Sequence, residues 1–347
     1  MKKYIVITVT IFLTFILVSC KKELLNDKSH YERVKINHTV SKFQTMDGKN
    51  EVFKRVEMTE EFYIEPKKVI TFSLGVADTF NYFGLSKLGI QTFGIPKDQT
   101  SLPNMLKEFN DKKYYDVGTL FEPDFSMIEL INPDLIILDG RTAKYYEKLK
   151  KDYPYINVLD ASLTTYEVVE QEKVFNNLSK IFPQIEEELN DFIELFKSKF
   201  SLIEEQTRNY SAMLLQLNGK LISAAVSNKG RYGLLYKEFG FKFKKISGLN
   251  LENSHGTAEI SKESIKKVNP EVIFIMDRNL IVEGVKSDDT FLKEDLLKDV
   301  DAIKDNYVYY LNPESWYTIS GGINATNNMI DDIMLFISDI NQNWLTN

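Results

Sequence analysis

Cysteine occurs once in the 347 residues, at Cys20, so no disulfide can close within the chain. A cysteine nucleophile or a cysteine-based zinc site would have to be built on that single position. Histidine is almost as rare. Of three, His30 and His38 lie near the amino terminus, which leaves His255 alone in the interior of the chain. Hydrolase triads and multi-histidine zinc sites therefore have few options. No Gly-x-Ser-x-Gly elbow, His-Glu-x-x-His helix or phosphate-binding glycine loop occurs. Net positive charge is absent too: 43 basic residues stand against 50 acidic ones, a formal charge of −7. A chain of that sign is a poor nucleic-acid binder. Arginine is scarce even among the basic residues, with six against 37 lysines.

The amino terminus sets the compartment. Lys2 and Lys3 precede an apolar run, Tyr4–Val18, of 15 residues, where a bilayer-spanning helix needs about 20. The run fits the core of a signal peptide. It ends in Leu17-Val18-Ser19-Cys20, which resembles the lipobox of bacterial lipoproteins. That resemblance implies lipidation of Cys20, a signal peptide over 1–19 and an extracytoplasmic chain anchored by lipid in the cell envelope. The alternative is an ordinary secretory signal with an incidental cysteine. Residues 20–32 are polar and without apolar periodicity, as a flexible tether would be. Roughly 310 residues remain, which suits two lobes better than one core.

From Val34 the pattern turns strand-like. Continuous apolar runs at Lys68–Ser73, Asp134–Leu138, Lys220–Val226, Glu271–Met276 and Tyr307–Leu311 then predict strands buried on both faces. Helical stretches such as Ala77–Phe83, Tyr166–Ile181 and Ser261–Val268 separate them, which argues for βα units and mainly parallel sheets. Residues 184–209 hold neither glycine nor proline. They place Ile185, Leu189, Phe192, Phe196, Phe200 and Ile203 on one helical stripe. Such a helix would be about 36 Å long. At mid-chain it could join an N-terminal lobe (33–183) to a C-terminal lobe (210–347); a long core helix within one domain is the alternative. A short repeat supports two lobes. Ile131-Asn-Pro-Asp-Leu-Ile-Ile-Leu-Asp-Gly-Arg141 aligns without a gap on Val268-Asn-Pro-Glu-Val-Ile-Phe-Ile-Met-Asp-Arg278. Each reads as helix end, Asn-Pro break, buried strand and arginine.

Three of the six arginines, Arg141, Arg231 and Arg278, follow predicted buried strands. In open α/β sheets ligands bind at the carboxyl ends of strands, and the planar guanidinium grips oxyanions and stacks on rings better than lysine does. Three such groups predict a cationic cleft for a polyanion, unless each merely pairs with an acid such as Asp139 or Asp277. Gly118-Thr-Leu-Phe-Glu-Pro-Asp124, Gly230-Arg-Tyr-Gly233, His255-Gly256, Asp277-Arg-Asn279 and Trp316-Tyr317…Gly321-Gly322 resemble, in order and spacing, the class III periplasmic binding proteins for siderophores, in their catecholate (petrobactin-type) branch.

That resemblance implies an α/β fold of two Rossmann-like lobes joined by one backbone helix, and a substrate-binding lipoprotein of an ABC transporter rather than an enzyme. It implies ferric siderophore as ligand, no intrinsic cofactor, and a monomer that meets a membrane permease with its ATPase. Carried over by position, Arg141, Arg231 and Arg278 hold catecholate oxygens, Trp316 faces the ligand, and His255 and Tyr317 can complete the coordination of ferric iron. Permease docking falls on Glu263 in the second lobe. In the first lobe the usual position is occupied by Ser126, with Glu122 and Glu129 as substitutes. Haem or cobalamin is the alternative ligand on the same fold, haem wanting an axial donor and an apolar slot.

Overall fold

The computed structural model describes residues 31–97, 102–165, 167–228, 230–249, 256–319 and 321–346. Its first element is a long hairpin of β1 (Arg33–Asp47) and β2 (Asn50–Tyr63), turned at Gly48 with φ +61°. Ile36, His38 and Val40 alternate onto its buried face, the period of a half-buried strand. The hairpin is held down by polar contacts. His38 Nδ1 accepts from the Asp160 N–H (3.3 Å), its Nε2 meets Glu60 (3.2 Å), and Arg55 pairs with Asp160.

Before the mid-chain helix, β3 (Lys68–Thr71), β4 (Thr92–Ile95), β5 (Tyr115–Asp116), β6 (Leu135–Leu138) and β7 (Asn157–Asp160) form one parallel sheet in the order β5-β4-β3-β6-β7. After it come β8 (Ser211–Asn218), β9 (Leu221–Ala225), β10 (Lys242–Phe243), β11 (Thr257–Glu259), β12 (Val272–Asp277) and β13 (Val308–Tyr310). Their order is β11-β9-β8-β12-β13, with β10 also on β8. Strands β8, β10, β12 and β13 run parallel; β9 is antiparallel to β8 and β11. The fold is thus α/β with mainly parallel sheets.

The mid-chain helix spans Glu186–Thr207 and follows a tight turn at Pro183–Ile185. Leu189, Ile193, Phe196, Phe200 and Ile203 are buried along it. Phe192 instead lies half-buried at the rim, edge-on to Tyr82 at 5.1 Å, because Ile193 takes the core position. The repeat has a common geometry. Helices Phe125–Ile131 and Lys262–Val268 are each seven residues long, N-capped by the side chains of Asp124 and Ser261. Both end on an asparagine in left-handed conformation, Asn132 (φ +48°) and Asn269 (φ +44°), so the asparagine as well as the following proline stops the helix.

The apolar runs did not single out β4, β5, β7, β8, β10 or β11, and the extent of the hairpin and the last helix were not anticipated. Strand β8 merges in sequence with the helix before it. The hairpin is longer than its mixed composition suggests. The longest helix among the described residues, Ile323–Thr346, comes last. That last helix returns to the first lobe. The buried Asp78 carboxylate accepts from Asn324 Nδ2 (2.9 Å) and the Ala325 N–H (3.1 Å), capping the helix from helix Leu74–Phe83. Gln171 donates to the Gly322 carbonyl (3.1 Å) and to Thr326 (2.9 Å).

Candidate functional site

Tyr317 stands at the centre of the site. Residues Glu314–Thr318 form a single π-turn, in which the Ile319 N–H bonds back five residues to the Glu314 carbonyl at 2.8 Å. Such turns re-aim side chains and recur at functional sites. Arg231 and Arg278 both stack on the Tyr317 ring, each 5.5 Å from its centroid. Arg278 also donates from Nε to Tyr317 Oη (2.8 Å) and from a terminal nitrogen to Asn218 Oδ1 (3.0 Å), while Arg231 donates to the Tyr317 carbonyl. Arg278 opens the helix after β12, Arg231 the turn after β9, and Arg141 the segment after β6. All three are partly exposed. Arg141 lies over the Phe121 ring at 5.1 Å.

Of the two acids set against these arginines, Asp277 serves its own helix and Ser287, whereas Asp139 feels both Arg141 and Arg231. Asp277 caps the helix that Arg278 opens, accepting from the Leu280 N–H (3.2 Å), and binds the Ser287 N–H (2.8 Å) and hydroxyl (2.6 Å). Asp139 accepts from the Gly140 N–H at 2.7 Å. Burial pushes its carboxyl up, and Gly140, Arg141 and Arg231 oppose the shift. One carboxyl thus feels guanidiniums from both sides of the chain's midpoint. Arg33 and Arg55, by contrast, do meet carboxylates, at Glu61 and Asp160.

Trp316 needs correcting. It is 1% exposed, its indole N–H donates to Asp332 at 2.8 Å, and its ring lies 6.0 Å from that of Phe239. The π-turn directs Tyr317 to the arginines and its neighbour into the core, so Trp316 supports the site from behind rather than facing a ligand. His255 and Cys20 lie outside the described residues. Glu122, Ser126 and Glu129 are exposed, on or just before helix Phe125–Ile131; Glu263 is exposed in the first turn of helix Lys262–Val268. Its own backbone N–H and the Ser261 hydroxyl hold the Glu263 carboxyl below the usual range. Sequence reasoning missed Asn218 and Phe121. The first ends the unrecognised strand β8, and the second was legible only as part of the Gly118–Asp124 segment. There Gly118 (φ +108°) is required, since a Cβ would fall 2.5 Å from the Glu122 carbonyl oxygen.

Comparison with known proteins agrees with this architecture. Over 339 residues the chain is 28% identical to the petrobactin-binding protein YclQ of Bacillus subtilis, covering 96% of this chain and 98% of that one. It is 24% identical over 280 residues to the ferric-anguibactin-binding protein FatB of Vibrio anguillarum, covering 78% and 82%. Among solved structures, the periplasmic catecholate-siderophore binding protein VctP of Vibrio cholerae superposes with a TM-score of 0.71 at 26% identity, covering 88% of this chain and all of that one. The profile of the periplasmic binding protein family matches residues 77–315, which take in the whole second sheet, all of the first but its central strand β3, and all three site arginines. The chain is a member of the periplasmic binding protein family.

Proposed function

We propose that the chain is the extracytoplasmic substrate-binding component of an ABC iron importer, and that it captures a ferric siderophore of the catecholate class. Its relatives are named for petrobactin, ferric anguibactin and catecholate siderophores. The observation that carries the reading is the pair of guanidiniums on the Tyr317 ring, with Arg141 and Arg231 in electrostatic reach of one carboxyl. A ferric catecholate is a compact anion whose oxygens lie in planes, and planar N–H forks match it. Tyr317, with His255, would supply donors to ferric iron where the chelator leaves coordination positions open. Lipidation at Cys20 would hold the protein at the membrane, and Glu263 with Glu122 would meet the permease, whose ATPase drives uptake.

Calorimetric titration of the full-length chain with ferric catecholates, ferric hydroxamates, haem and cobalamin tests this. Ferric catecholates are expected to bind most tightly, with none of the ligands turned over. Preference for haem or cobalamin would overturn the assignment.

A further inference from the structure

The cationic corner does not fill the space between the lobes. Beside it lies a cavity of about 680 Å³, walled by Leu102, Met105 and Leu120 from the first lobe and by Leu280 and Ile281 from the second, with three prolines and the polar Asn104, Asn312 and Thr318 adding to the lining. Cavity and corner share their framework at three points. Leu120 precedes Phe121, the ring under Arg141. Leu280 and Ile281 belong to the short helix that Arg278 opens. Thr318, also in the wall, follows Tyr317 in the π-turn.

The walls are unlike the corner in chemistry. Among the described residues no lysine, arginine or histidine lines the cavity, and its one carboxylate is Glu314. That carboxylate is already spoken for. Oε1 accepts from the Asn104 N–H (2.8 Å) and Nδ2 (3.0 Å), and Oε2 from the Met105 N–H (3.2 Å), tying the second lobe to the first. Among the described residues a cationic arm would therefore find no open acid, and an anionic arm no cation. An apolar arm would exchange water for Leu, Met and Ile side chains.

We infer that this cavity takes an uncharged aliphatic arm, so that the ligand is an amphiphilic ferric siderophore: an anionic chelate on Arg141, Arg231, Arg278 and Tyr317 with an alkyl or acyl extension between the lobes. The inference rests on the reading of the arginine corner as the chelate site. Each methylene buried there is worth about a fourfold gain in affinity.

The test uses two synthetic ferric bis(2,3-dihydroxybenzamide) chelates of equal charge, one capped with N-methyl and one with N-hexyl, titrated into the full-length chain. The hexyl chelate is expected to bind at least about tenfold tighter, with the more negative heat-capacity change that apolar burial brings. Leu280→Ala should cut the hexyl-to-methyl affinity ratio, read within the one variant so that any loss common to both chelates cancels. Leu280 is 42% exposed, so the substitution does not threaten folding, and retained methyl-chelate binding reports a folded protein. Equal affinities of the two chelates for the wild type would overturn the aliphatic-arm inference alone. Tighter binding of an aminohexyl than of the hexyl chelate would also overturn it, in favour of a cationic arm. Failure of both chelates to bind would overturn the corner as chelate site, and this inference with it.

Discussion

Arg278 and Tyr317 are bound to one another, so the tyrosine is both a stacking surface for two cations and an oxygen held in place by an N–H. A charge-assisted hydrogen bond is worth ~1.5–3 kcal/mol. Alanine at Arg141, Arg231 or Arg278 is accordingly expected to weaken ferric catecholate binding by about ten- to a hundredfold in calorimetry. Lysine at the same positions should recover part of the loss, since charge returns without the fork. Tyr317→Phe and His255→Ala make a sharper distinction. Both should impair a ferric catecholate with four chelating oxygens far more than one with six, and should change the visible charge-transfer absorption of the former. Equal losses for both ligands with an unchanged spectrum would leave recognition to the arginines. Behind them, Asp332 receives the Trp316 indole and the Asn312 N–H, both at 2.8 Å, and burial raises its carboxyl to about 6. Because the folded state then binds a proton more tightly than the unfolded one, this group's contribution to stability is fully present below about pH 4 and is lost as pH rises towards 6. Asp332→Asn should flatten that decline, by on the order of 2 kcal/mol across the window, read from urea denaturation at pH 4, 5, 6 and 7.

At the level of elements, the decisive junction is where the last helix begins. Gly322 has φ +97°, and a Cβ there would lie 2.6 Å from both Asp78 Oδ2 and the Gly75 carbonyl. Only glycine lets the C-terminal helix approach helix Leu74–Phe83 closely enough for Asp78 to cap it. Gly322→Ala is expected to cost about 2–3 kcal/mol in denaturant unfolding, combining backbone strain with overpacking. Gly219→Ala is the control, because Gly219 has φ +63° but open space around a Cβ; it should pay the strain alone, about 1 kcal/mol.

For the whole molecule, the mid-chain helix is one of several ties between the halves. Asp78 with Asn324 and Ala325, Gln171 with Gly322 and Thr326, and Glu314 with Asn104 and Met105 add hydrogen bonds across the midpoint. Hinge-bending closure would break these, so small-angle scattering is expected to show little change in radius of gyration when ligand binds; a large drop would count against a rigid pair of lobes. Much of this architecture was readable in one dimension. Buried parallel strands announce themselves as apolar runs. The Asn-Pro repeat encodes matching helix ends through local backbone preference, and the placement of scarce arginines just after strands was readable too. Contacts remote in sequence were not readable. The isoleucine-rich pattern in residues 323–346 is equally compatible with any partner surface, and nothing local says that Asp78 caps a helix some 245 residues later. Nor could order along the chain tell that Trp316 turns inward while Tyr317 turns to Arg231 and Arg278. The sequence by itself determined the strands that read as apolar runs, the Asn-Pro helix ends and the supply of cations. The tertiary structure alone decided which side chains of the π-turn face the cleft, because that depends on which surface the last helix packs against.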